Sequence, residues 1–282
     1  MKILLFIVLL FNIVQGYSWG FMAHKKINEY AIYCLPLERI KFYKPHLEII
    51  VKNSIIPDIR KNTSISEYSL HYIDIENFPA DQLHFSDSNF LNECELVDSC
   101  REHGILPWHI LRVFNSLKVA IQFNKREEIV RLSSELGHYI SDACVPLHTT
   151  ENYDGQLTDQ DGIHRLWESS LPELYFDDYN LFGIQADTIK DVEALIWNTV
   201  MESHKLKDSV LSIHRALQLQ YIGESHGIIQ RGNRLISDYS LNFKKDYNKK
   251  LNQMITKQLK KSILLCASLW ETAWFQAREE CY

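Results

Sequence analysis

Gly137 to Glu168, GHYISDACVPLHTTENYDGQLTDQDGIHRLWE, holds three histidines and two acids at spacings that suit a metal cluster. His138 and Asp142 are four residues apart, so on a helix they share one face. His148 follows six residues later, just past Pro146, which is expected to end or kink that helix. His164 and Glu168 are again four apart, in a second helical turn that starts after Gly162. Two helices and one bend thus deliver five candidate ligands. One such pair occurs often on exposed helices. Two pairs with a further histidine at the bend are hard to explain as surface decoration. Imidazole with carboxylate suits Zn²⁺.

Outward from this stretch, the N-terminus has the form of a secretory signal over residues 1–18. Lys2 supplies the positive end, and Ile3 to Val14 is a mostly apolar run of twelve, short for a bilayer span. Gly16 and Ser18 give small residues before a cut at Trp19. The expected mature domain is 19–282, soluble, exported and monomeric, with no obligate protein partner. Without Lys2 it carries 29 basic and 36 acidic residues, a mildly acidic balance that is no nucleic-acid footprint. Six cysteines in an exported chain permit disulfides, and Cys94 with Cys100 is the best candidate pair. Cys144, beside the ligand stretch, fits a buried thiol or a disulfide better than a ligand.

The rest of the chain reads as one all-α, multi-helix domain. Residues 19–56 are helical, broken by Pro36 and Pro45. Residues 58–70 look like loop, and 80–107 are the least regular region. Trp108 to Phe123 and Ile129 to Ala143 have helical periods, as do 186–203, 207–230 and 246–278. No Asn-Gly or Asp-Gly hairpin joins alternating strands. The lysines between 244 and 261 fit a solvated helix face, with a polyanion site as the lesser alternative.

Three further positions complete a pattern: Trp19-Gly20-Phe21-Met22-Ala23-His24, Asp58 in Ile-Ile-Pro-Asp, and His71 in Ser-Leu-His-Tyr-Ile-Asp. With the central stretch they resemble the superfamily that joins bacterial zinc-dependent phospholipases C to fungal and plant single-strand-specific nucleases. The resemblance extends to about Leu171 and is thin afterwards. It implies an all-α fold with three zinc ions. Asp58, His71, His138 and Asp142 would hold one; His148, His164 and Glu168 a second. The third would take His24, Asp142 as a bridge, and the free amine and carbonyl of Trp19. A cut before Trp19 would by itself put an amine five residues from His24.

The resemblance implies hydrolysis of a phosphodiester by a metal-bridging hydroxide, with Asp58 accepting a proton or orienting the water. The substrate, phospholipid or single-stranded nucleic acid, stays open. Tyr72 and Asp74 match the nucleases' base-binding pair, although Tyr72 also fits ordinary packing. Glu168 stands where the nucleases carry Asp, and the step from His148 to His164 is short, as in the lipases. Arg60 lies two residues after Asp58, where the nucleases' phosphate-binding Arg lies three after. The balance leans to a phospholipase C-like esterase. A zinc-stabilised, non-catalytic exported protein is the alternative from another class, which the open three-ligand set disfavours.

Overall fold

The computed structural model describes residues 19–78, 102–231 and 234–279. The signal-like segment 1–18, the Cys94–Cys100 pair and most of the irregular region 80–107 lie outside them.

The molecule is built around two long antiparallel partners, α6 (Leu106–Gln122) and α7 (Arg126–Asp142). From Ile129 onward α7 is buried on nearly every side, with only Arg131 exposed. A helix buried all round needs neighbours all round. It has them in α6, α1 (Phe21–Cys34), α3 (Leu47–Asn53) and the C-terminal α12 (Met254–Glu279). Gly137 permits the closest approach: a Cβ there would strike Asn28 Oδ1 and lie 2.8 Å from Cys266 Sγ. α7 ends at Asp142, and extended Val145 leads into a 3₁₀ turn over Pro146–Thr149. Gly162, at φ +85°, starts α8 (Ile163–Arg165), which runs through a π turn at Leu166–Ser170 into α9 (Leu171–Tyr175).

Helices between Trp19 and Asn53 break at Pro36 and near Pro45 as the sequence implies, with α2 at Leu37–Tyr43. Elsewhere the structure corrects the sequence. Residues 58–70 are no simple loop: α4 (Ile56–Arg60), begun by Pro57 in its first turn, and α5 (Ile65–Tyr68) occupy them. α10 starts at Val192, capped by Asp191 accepting from the Ala194 amide at 2.9 Å, and stops at Gln220. The fold is mostly α, not purely α. β1 (His226–Arg231) and β2 (Arg234–Tyr239) form an antiparallel ribbon, with β1 in place of the end of the helix expected over 207–230. Gly232-Asn233 between Ile-rich flanks was a hairpin signal of the Gly-first kind. After α11 (Leu241–Lys250), Asn252 and Gln253 at φ 48° and 64° interrupt the expected 246–278 helix.

Candidate metal centre

Four elements carry the first donors to one point. α7 brings His138 and Asp142, α1 His24, α4 Asp58, and the turn after α5 His71, all with at most 3% exposure. Asp142 lies in the middle. Its Oδ2 is 2.9 Å from His71 Nδ1 and 3.3 Å from His138 Nε2. Its Oδ1 is 3.3 Å from His24 Nε2 and 3.8 Å from His148 Nδ1. Asp58 Oδ1 is 3.8 Å from both His71 and His138, and its Oδ2 is 3.8 Å from His24. The Pro146–Thr149 turn brings His148 within 3.3 Å of Glu168 Oε2, and His164 Nε2 is 3.0 Å from the same oxygen.

Hydrogen bonds behind the rings settle which nitrogens point inward. His138 Nδ1 is 2.8 Å from the Ser54 carbonyl, which can only accept, so this nitrogen carries the proton. Ser141 donates its one hydroxyl proton to the His138 carbonyl at 2.7 Å. It must therefore accept from His24 Nδ1, 3.0 Å away. His24 Nε2 then turns its lone pair to Asp142, while His138, raised by the charges of Asp142 and Asp58 against its burial, holds a proton on Nε2 that a metal would displace. A ring nitrogen and a carboxylate oxygen this close need a proton or a cation between them, and a metal would take the place of the protons. Asp142 Oδ1, His164 Nε2 and both Glu168 oxygens have no hydrogen-bond partner among the described residues. Three donor sets fit a metal, each with ligand atoms within 4.8 Å of one another. These are His24–His138–Asp142, Asp58–His71–His138 and His148–His164–Glu168.

Trp19 is fully buried against this centre. Its indole packs on Trp167 at 5.0 Å and donates to the Ser141 carbonyl at 2.8 Å. The next amide, of Gly20, donates to the Glu168 carbonyl at 3.1 Å.

No model of a known protein family matches this chain, and no curated protein matches it. Its chemistry has to be judged from its own residues.

Two supporting groups had a signal in the sequence that went unused. Glu67 precedes His71 by four residues, the same spacing as His164 and Glu168, and its Oε1 lies 3.5 Å from His71 Nε2. That leaves Nδ1 for the centre. Tyr139 and Arg60 anchor Glu67 in turn. Arg60, a substrate-binding candidate, is engaged on the far side of Glu67. Its guanidinium is bound by Glu67 at 3.0 Å, Glu135 at 2.8 Å and Tyr139 at 3.1 Å, and it does not line the cleft. The cation beside the site is Lys61, three residues after Asp58 and 2.7 Å from its Oδ1.

The cleft, of about 250 Å³, is lined by His71, His148 and His164 together with Lys61 and the two expected contacts, Tyr72 and Asp74. Tyr72 is half-buried, and its hydroxyl donates to the Glu102 carbonyl at 2.7 Å. Tyr68, Tyr153, Glu102 and Glu151 complete much of the wall. Cys144 is a buried free thiol and no ligand.

Charge and burial oppose one another here. Burial lowers His24 and His164 to about 4, so both are neutral at neutral pH, as a ligating imidazole must be. Burial works against ionisation of Asp142 and Asp58 too, but His138 with His148, and Lys61 with His138, hold them well below the usual carboxylate range. Glu168 has less compensation, and burial pushes it up to about 8. Without a cation, this group favours the fold at low pH, and that stability is lost as pH rises through about 8. Zinc uptake at pH 7 is therefore expected to release about one proton from this set, and fewer at pH 9. Calorimetry in buffers of different ionisation heat measures this, and Glu168→Gln is expected to abolish it. Equal proton release in both proteins would contradict the assignment.

Proposed function

We propose that the chain is an exported, zinc-dependent phosphodiester hydrolase, with the fold and three-zinc chemistry of the phospholipase C and single-strand nuclease superfamily. Residues 1–18 would be its removed leader. The observation that carries this is Asp142: a buried carboxylate whose two oxygens each face histidines of different donor sets. Asp58, His71, His138 and Asp142 would hold one ion, His148, His164 and Glu168 another, and His24, Asp142 and the Trp19 terminus the third. Zinc bound there acidifies a water and neutralises charge on a phosphoryl oxygen. The chain's own residues do the rest. Asp58, kept ionised beside Lys61, orients a water or takes up its proton. Lys61 offers a cation to a phosphate at the cleft wall. His148 and His164 line that cleft, which supports an open site over a closed structural one.

For the substrate we favour a phospholipase C-like activity. Asp74, Glu102 and Glu151 give the cleft more acid than Lys61 offsets, which disfavours a polyanion. Tyr68, Tyr72 and Tyr153 beside those acids suit a head group that is partly apolar and cationic. Single-strand nuclease activity is the second reading. It is favoured by Tyr72, available for stacking, and by Asp74, raised by burial and by Glu76 and Glu151 to about 7, where it can donate to a base. Phosphatidylcholine and single-stranded DNA offered side by side, with and without a chelator, test both. Chelator-sensitive release of diacylglycerol is expected, with more than one zinc per chain by metal analysis. DNA cleavage alone would replace the first reading by the second. No hydrolysis of either, or one zinc or none, would refute the proposal.

A further inference from the structure

The ribbon has little to pack on. The sheet among the described residues is the β1–β2 pair alone, and a two-stranded ribbon by itself is marginal in water. The register pairs Ile228 with Ser237 and Gln230 with Leu235, so Ile228 and Leu235 share a face. They are 78% and 74% exposed. Just before and after the ribbon in the chain come Leu219, Ile222 and Leu241, at 68%, 80% and 70%. These five are most of the described large apolar side chains that are more than two-thirds exposed, and all fall between residues 219 and 241. Scattered apolar residues need no explanation, but a run of them on a projecting element does.

The charge here is also unlike that of the rest of the chain. Residues 225–261 contain nine Lys and Arg against two acids, a net +7 in a chain of net −6, which leaves −13 elsewhere. Lys244 is used internally, 2.7 Å from Asp238. Lys245, Lys249, Lys250 and Lys257 are exposed. Apolar side chains on a projecting ribbon, followed at once by exposed lysines, complement an anionic bilayer, with its charged face over an apolar interior. Nucleic acid would use the lysines and leave the leucines and isoleucines bare. No described helix is long and apolar enough to cross a membrane, so this is surface docking.

The ribbon's root is tied to the metal centre. The Tyr239 hydroxyl donates to the Asp161 carbonyl at 2.9 Å, and Asp238 holds Arg165, the neighbour of His164, at 3.3 Å. We propose that the ribbon and the lysine-rich segment after it, residues 219–261, dock the protein on anionic lipid bilayers beside its cleft, an inference that rests on the phosphodiesterase reading above.

The test is co-sedimentation of the zinc-loaded protein with vesicles of equal parts phosphatidylglycerol and phosphatidylcholine. Binding is expected, weakening as salt rises. The exposed double variant Ile228→Ser with Leu235→Ser is expected to bind roughly tenfold or more weakly. Lys245→Gln, Lys249→Gln and Lys250→Gln together are expected to lose roughly a hundredfold at low salt. Circular dichroism should match the parent, since none of these side chains is buried. Absent parent binding, or a ribbon variant that binds like the parent, would overturn the proposal. So would binding of single-stranded DNA but not vesicles, or a self-association that only the ribbon variant abolishes. Hydrolysis of a soluble chromogenic phosphodiester, run in parallel, should be equal in all variants. Its absence in the parent would count against the proposed activity and leave the docking result standing.

Discussion

Asp142→Asn is expected to lower phosphodiester turnover by at least about a thousandfold, the loss of roughly 4 kcal/mol of transition-state stabilisation. The substitution keeps the shape of the side chain and removes its charge. That charge sits 2.9–3.8 Å from ring nitrogens of His71, His138, His24 and His148. Among the described residues, no other side chain faces histidines of all three donor sets. An amide also presents a donor NH₂ toward Nε2 atoms whose neighbours are all acceptors, so it weakens two metal positions at once. Glu168→Gln removes a carboxylate that faces only His148 and His164, and it should cost one position. Metal analysis is therefore expected to find greater zinc loss in Asp142→Asn than in Glu168→Gln, with the order of residual activity the same. Equal zinc content and equal turnover in the two variants would show that Asp142 bridges nothing.

A protein with a short uncleavable extension before Trp19 is expected to be less active by orders of magnitude than one that begins at Trp19. The indole is locked by Trp167 and the Ser141 carbonyl, and the Gly20 amide by the Glu168 carbonyl, so the Trp19 backbone cannot move far from the centre. A free amine held there can donate its lone pair. An amide nitrogen cannot, because its lone pair is delocalised into the carbonyl and its proton stays. The sites built only from side chains should still fill, so the extended protein is expected to lack one zinc and not all of them. Removal of the leader would then be an activation step as well as export. Identical zinc content and turnover in the two preparations would exclude the terminus as a ligand.

Much of this centre was legible in the sequence, because its ligands come in local units that obey backbone periods. His138 with Asp142, and His164 with Glu168, are four-residue pairs, and a helix brings such pairs together wherever it packs. Pro146 marked the end of one unit through its fixed φ, and Gly162 the start of the other through its freedom to take a positive φ. The ribbon was legible too, in Gly232-Asn233, but the apolar residues before it also fit the period of a helix over 207–230. Period alone does not decide short apolar runs. Other features have no local signature at all. Arg60 or Lys61 could each have faced the cleft. Which one does follows from Glu67 and Glu135, the latter 75 residues away, which bind the Arg60 guanidinium and leave Lys61 beside Asp58. The tautomers of His24 and His138 depend on one hydroxyl and one carbonyl contributed by other elements. The pKa of Glu168 depends on how many neighbours exclude water from it. Which residues can serve as ligands is a property of residue types and their spacing, and that much the sequence by itself determined. Burial, tautomer and charge balance are properties of what packs around those residues, and only the tertiary structure decided them.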